Sequence, residues 1–202
     1  MKNDIIKNIE RYVNTLLLPL ENHYFHQFDH ALEVKQRAWE IGKKEWLNEE
    51  EIEMVEIAAL FHDTGFVIQY EQNEEIWSKI ARNYLKSILY PENKITIIQR
   101  LILATKPEYR TPIDLLEEVI KDADLDNLWR DDFLDRWNDL KKEMEMIKKI
   151  KLKDPEWRHA SLDFISNHSY FTKSQIKERE SKRNENAQKL EKMIKDLEEE
   201  YK

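Results

Sequence analysis

A chain of 202 residues with two glycines, five prolines and no cysteine has the length for one well-buried domain and the composition of long helices; it cannot build a disulfide framework, a thiolate metal site or a cysteine nucleophile. A net charge of -8 excludes a broad footprint on duplex nucleic acid, which draws on clustered unpaired Lys and Arg, while leaving room for a local basic pocket that takes one small phosphate. No run of 18 apolar residues occurs and residues 1–10 lack the apolar stretch of a signal peptide, so a soluble, cytoplasmic protein with no membrane partner is expected.

The elements predicted along the chain are all α-helical. Residues 4–18 form a first helix stopped near Pro19, and residues 29–44 a second with Asp29 as its N-cap. Asn48 with Glu51 three residues later has the form of a capping box. It opens a helix whose apolar stripe, Ile52, Val55 and Ala59, leads to His62, with Gly65 as the break. Further helices are predicted over residues 73–89 before Pro91, over 93–105 before Pro107, and from Pro112 through Leu128. A long helix over 131–151 ends before Asp154-Pro155, and a short one follows over 157–167. The tail 173–202 is highly charged, yet Ala187, Leu190, Ile194, Leu197 and Tyr201 recur at steps of three and four. That seam predicts a final helix packed on its own protomer with its charge run facing solvent. The expected organisation is one domain over 1–172 and a C-terminal helix over 173–202, with the six Trp and seven Phe packed between helices.

Three places carry chemistry. His62 stands at the inner end of its helix's apolar stripe and Asp63 follows directly; burying a carboxylate beside an imidazole is costly, and a bound cation compensates both at once. His30 heads the face continued by Val34, Ala38 and Ile41, so it also points inward. His26 lies four residues earlier, a spacing that can hold a metal within one helix, although an N-cap at Asp29 leaves His26 outside the helix. The third place is the acidic run 122–126. Asp124 shares a face with Leu116, Ile120 and Leu128, whereas Asp122 aligns with Leu115 and Val119, and periodicity does not choose between them.

Taken together, the segments Tyr24-Phe25-His26-Gln27-Phe28-Asp29-His30-Ala31-Leu32-Glu33-Val34, Ala58-Ala59-Leu60-Phe61-His62-Asp63-Thr64-Gly65 and Lys121-Asp122-Ala123-Asp124-Leu125 resemble, in order and spacing, the H…HD…D pattern of the HD-domain superfamily of metal-dependent phosphohydrolases. Leu103-Ala104-Thr105-Lys106-Pro107 is similar to a segment found in a subset of these proteins. The resemblance implies a helical bundle around a buried metal held by His30, His62, Asp63 and Asp124, with Asp122 as the alternative carboxylate. Two His and two Asp suit one divalent ion among Mn, Mg, Fe, Co and Zn. The activity implied is hydrolysis of a phosphoester, of a nucleotide or another small phosphorylated metabolite. Asp63 is the candidate for orienting the attacking water, and Lys106 with Thr105 heads the candidates for the phosphate, followed by Arg37, Arg82 and Lys121, with His26 as a further substrate contact.

The departures from relatives are informative. Binuclear members carry additional histidines between the HD pair and the last Asp; this chain has none between Asp63 and Asp124, which points to a mononuclear site. Where some relatives place His before Glu, this chain has Asn73-Glu74-Glu75, leaving Glu74 or Glu75 as the acid–base candidate. The catalytic Glu that follows the HD pair in bacterial 5′-nucleotidases is replaced by Thr64-Gly65-Phe66-Val67. The competing reading is a catalytically silent metal- or nucleotide-binding regulatory module. A monomer or a homodimer fits either. His168, outside the shared segments, is read as a structural hydrogen-bonding residue that could also reach substrate.

Overall fold

Helix follows helix through residues 2–20, 24–64, 74–106 and 111–200, which the computed structural model describes, and no strand occurs among them. The α-helices are α1 (Lys2–Leu17), α2 (Phe28–Lys44), α3 (Glu49–Phe61), α4 (Glu74–Ser87), α5 (Glu92–Ala104), α6 (Leu115–Asp124), α7 (Phe133–Lys148), α8 (Asp154–Asn167) and α9 (Lys173–Glu200). Two compact units divide at Asp124/Leu125, so that α9 groups with residues 125–172. None of the described helices is long and apolar enough to cross a membrane.

In the first unit α3 is the centre. Its capping box is present as the sequence predicts: Asn48 Oδ1 accepts from Glu50 N and Glu51 N at 2.9 and 3.0 Å, and Glu51 Oε2 accepts from Asn48 N at 2.8 Å. These bonds satisfy donors that a helix start would otherwise leave orphaned. Beyond the cap, Ile52, Val55, Ile57, Ala58, Ala59, Leu60 and Phe61 are all fully buried. The expected stripe is therefore a helix buried on every side, the behaviour of a segment that is hydrophobic all round. Helices α1, α2, α5 and α6 pack on it, and α4 packs on α5.

Several boundaries differ from the prediction, among them the start of α8, at Asp154 instead of Trp157, and two near the site differ for local reasons. Helix α2 begins at Phe28 with Gln27 as N-cap, which places Asp29 in the first turn, where its charge meets the positive end of the helix dipole without capping it. Helix α6 begins at Leu115 because Asp114 Oδ1 accepts from Glu117 N at 3.0 Å; it ends at Asp124, and a separate 3-10 turn, Asp126–Trp129, follows. The expected break at Gly65 lies outside the described residues.

Arg100 on α5 fixes where α6 begins. Its guanidinium reaches Asp114 and the fully buried Glu117, each at 2.6 Å, and Glu117 Oε2 accepts from Ile113 N at 3.0 Å. At the other end of α6, Lys121 Nζ donates to the Ala104 carbonyl at 2.9 Å, tying the last turn of α6 to the C-terminus of α5.

The second unit has its own core of Leu128, Phe133, Ile165, Leu190 and Ile194, flanked by Trp137, Leu162, Phe164 and Ala187. The seam Ala187, Leu190, Ile194 thus packs inside the protomer, while Tyr201 lies outside the described residues. Asn186 Nδ2 donates to the carbonyls of Leu128 and Arg130 at 2.9 and 2.8 Å, and Arg183 to that of Ile165 at 2.6 Å, holding α9 in register. His168 caps α8 and packs edge-on against Tyr170, with ring centroids 4.9 Å apart.

The aromatic residues need two corrections, the first being Trp39 on α2, which is 39% exposed. Trp137 sits in the second core between Phe133, Trp157 and Phe164, and Trp77 is buried in the first, but Trp46 is 91% exposed, in the turn after α2. Its neighbours fold inward and it does not, because its backbone is left-handed there, with φ of 62°.

Candidate metal centre

Three helix ends of the first unit deliver the site. His30 stands in the first turn of α2, His62 is the C-cap of α3 with Asp63 next, and Asp124 is the last residue of α6. His62 Nδ1 lies 2.6 Å from the Ala59 carbonyl oxygen. A carbonyl only accepts, so Nδ1 carries the proton and Nε2 is the atom presented to the site. That acceptor sits three residues back along the same helix, a partner available to any inward His at a helix C-terminus, and the sequence reading did not single it out.

His62 Nε2 lies 3.1 Å from Asp63 Oδ2 and 3.2 Å from Asp124 Oδ1. His30 Nε2 lies 3.3 Å from the same Asp63 oxygen and 3.6 Å from the same Asp124 oxygen. Ligand atoms of His30, His62 and Asp124 all fall within 4.8 Å of one another. His30, His62 and Asp63 are buried, and the Asp124 side chain is 20% exposed, which opens the cluster on one side. Yet His62 Nε2 and Asp63 Oδ2 are buried without a hydrogen-bond partner. The distances bring the groups together, but the directions do not make hydrogen bonds of them.

A divalent cation fits this donor set. Two carboxylates and two neutral imidazoles carry a charge that balances it, and the two orphaned atoms are ones that a cation would satisfy together. The helix dipoles at the site are mixed: α3 and α6 end here and present their negative ends, which favour a cation and disfavour a carboxylate such as Asp124, whereas α2 begins here and presents its positive end. The electrostatics of the four groups agree. Burial opposes charge on His62, and the Asp63 and Asp124 carboxylates overcome it, holding the imidazole well above its ordinary value. Burial likewise works against ionisation of Asp63 and Asp124; the imidazoles of His62, His26 and His30 around Asp63, and of His62 and His30 around Asp124, outweigh it, so both carboxyls are lowered.

The other residues singled out from the sequence divide into those near this cluster and those engaged elsewhere. His26 lies outside α2, yet its ring stands edge-on to His30 with centroids 6.2 Å apart, and Phe25 packs on both at 4.9 and 5.0 Å. On the far side of His62 the Trp77 ring approaches to 6.3 Å, a wall that periodicity around residues 76–81 could have supplied. Lys106 Nζ is 3.3 Å from Glu75 Oε1, and the Thr105 hydroxyl donates to the Ile102 carbonyl at 2.8 Å. Lys121 is half-buried, and burial lowers its amine below the usual value against the pull of Asp124, Glu117 and Asp122. Arg37 turns to Glu40, and seven residues along α2 place it about 10 Å from His30. Arg82 is taken by Glu92 and Gln99. Asp122 is fully buried and is not in the group formed by His30, His62 and Asp124. The Glu74 side chain lies outside the described residues.

The family model described as HD domain matches residues 28–126, a span that contains all four clustered groups. The chain carries an HD domain. The HD-domain superfamily is one of metal-dependent phosphohydrolases, and the His30, His62 and Asp124 cluster is consistent with its metal site. No curated protein and no solved structure matches the chain.

Proposed function

We propose that this HD domain hydrolyses a phosphoester, of a nucleotide or another small phosphorylated metabolite, with one divalent cation held by His30, His62, Asp63 and Asp124. The observation that carries the proposal is the buried pair of orphaned atoms, His62 Nε2 and Asp63 Oδ2, in a cluster that supplies acceptors and charge but no partner for them. When bound, the cation supplies acidity toward water and polarisation of a phosphoryl oxygen.

The chain's own residues do the rest. Asp63, reaching both histidines through one oxygen, orients the water that attacks phosphorus. His26, beside the cluster, and the end of α5 with Thr105 and Lys106 receive the phosphate oxygens, where positive charge and donors stabilise the developing negative charge. Glu75 holds Lys106, and the bond from Lys121 to Ala104 fixes the end of α5 against the helix that bears Asp124. Arg37 and Arg82, engaged by carboxylates elsewhere, take no part.

The test is phosphate release by the full chain loaded in turn with Mn, Mg, Fe, Co and Zn, offered mono-, cyclic and polyphosphorylated nucleotides and small phosphate esters. Hydrolysis that depends on the metal and disappears in Asp63→Ala supports the proposal. Stoichiometric metal with no turnover on any class would replace it with a silent regulatory module.

A further inference from the structure

The inward face of α9 changes character along its length. Toward the C-terminus it is apolar, with Ala187, Leu190 and Ile194 in the second core. Toward the N-terminus the same face carries Gln175, Arg179, Arg183 and Asn186, at steps of four, four and three. Gln175, Arg183 and Asn186 are 0%, 6% and 5% exposed. A helix docked for stability alone has no use for such a half. Long polar side chains lose hydration and rotamer freedom on burial, and apolar side chains of similar volume stabilise as well or better. What a buried, hydrogen-bonded polar cluster adds is one defined position for the groups it holds.

The group held is the 3-10 turn Asp126–Trp129. Gln175 Nε2 donates to Asp126 Oδ1 at 2.8 Å, and Arg179 Nε lies 3.4 Å from the same oxygen. The Arg179 guanidinium stacks over the Trp129 ring, 3.6 Å from its centroid. Asn186 takes the carbonyls of Leu128 and Arg130. Leu125 caps the turn, and its own carbonyl accepts from Leu128 N at 3.2 Å.

Leu125 is also the residue after Asp124, the last of α6. A helix end frays unless the chain beyond it is fixed, because its last carbonyls have no partner in the helix, and Asp124 also sets a carboxylate against the negative end of the dipole. Lys121, a turn earlier, is tied to Ala104. From Asp124 to the gripped Asp126 the chain runs two residues, a span of at most about 7 Å, which leaves little slack between ligand and grip.

We propose that Gln175, Arg179 and Asn186 are positioning residues of the metal centre: by gripping the turn that follows α6, they fix how Asp124 is presented to the cation. The inference rests on the reading of Asp124 as a metal ligand. It gives the charged C-terminal helix a part in that site, exerted through the peptide chain from Asp126 to Asp124.

The experiment is calorimetric titration of the metal-free full chain with Mn and with Zn, at a temperature where every variant is folded. Gln175→Met combined with Arg179→Met removes the grip and keeps the volume. Asp126→Ala removes it from the other side and leaves no carboxylate without its partners. Leu190→Ala, in the apolar half of α9, is the control that loses stability with the grip intact. The inference predicts at least about tenfold weaker metal binding in the double variant and in Asp126→Ala, as for residues that orient a ligand, and wild-type affinity in Leu190→Ala. In the metal-free proteins, the amides of residues 121–124 should exchange faster relative to those of α3 in both variants without the grip, a change that Leu190→Ala does not produce. Wild-type affinity and exchange in both of those variants overturn the inference. So does a loss of affinity in Leu190→Ala as large as theirs, which would make it an effect of stability alone. A wild type that binds neither ion would overturn the reading of the metal centre itself, and the inference with it.

Discussion

His62 gives its Nδ1 proton to Ala59, so everything else the ring does is done by Nε2. In the four groups alone, that atom lies 3.1 and 3.2 Å from oxygens of two carboxylates, and their charge sets a sign for pH. His62 is raised above its unfolded value, so its contribution to stability is complete below that value and is lost as pH rises through the raised one. Asp63 and Asp124 are lowered, so theirs is present above the unfolded carboxylate value and lost as pH falls through the lowered one. A cation competes with the His62 proton. Metal affinity should therefore rise with pH until it passes the raised value of His62, with proton release on binding, read by titration calorimetry in buffers of different ionisation enthalpy. An affinity that falls with rising pH would contradict the placement of Nε2 as a ligand. The choice of carboxylate is testable in the same way: Asp124→Asn should lose most of its metal and Asp122→Asn keep it, by elemental analysis. Periodicity alone could not make that choice, because both positions face inward and because the argument for Asp124 extended the helix to Leu128. The helix ends at Asp124, and Leu128 belongs to the core of the second unit.

At the scale of elements, the caps were the most legible feature and the environments the least. The Asn48–Glu51 capping box is local chemistry within four residues, and it is present as read. Asn48→Ala should cost about 1 kcal/mol, measured by urea denaturation. That α3 is buried on every side is a property of the helices packed around it, and a stripe read from three residues could not reveal it. The clasp of Arg100 on Asp114 and Glu117 was illegible for the same reason, since 14 and 17 residues separate the partners. Arg100→Ala leaves the Glu117 carboxylate buried without its cation and should cost about 3 kcal/mol. Because α6 carries Asp124 at its far end, metal affinity should fall with it; loss of stability at unchanged affinity would show that α6 is held in place by its other contacts.

At the scale of the molecule, composition alone was sufficient to give an all-α chain, and the seam of the last helix was sufficient to give its inward face. What composition could not give is the division at Asp124/Leu125, which depends on contacts between residues far apart in sequence. Leu190 is 1% exposed in the second core, so Leu190→Ala should cost about 3 kcal/mol while leaving the oligomeric state as it is in the wild type, by denaturation and sedimentation on the same samples. A switch from dimer to folded monomer would make the seam an interface instead. The central claim is that the HD cluster is a metal site, and metal content of the purified, folded protein tests it most directly. The account predicts one divalent ion per wild-type chain. It predicts far less in Asp63→Ala at an unchanged circular dichroism spectrum, because that variant loses the carboxylate and the cation together and leaves no buried charge uncompensated. Wild-type occupancy in Asp63→Ala, or a wild-type chain that takes up no metal under any loading condition, would contradict it.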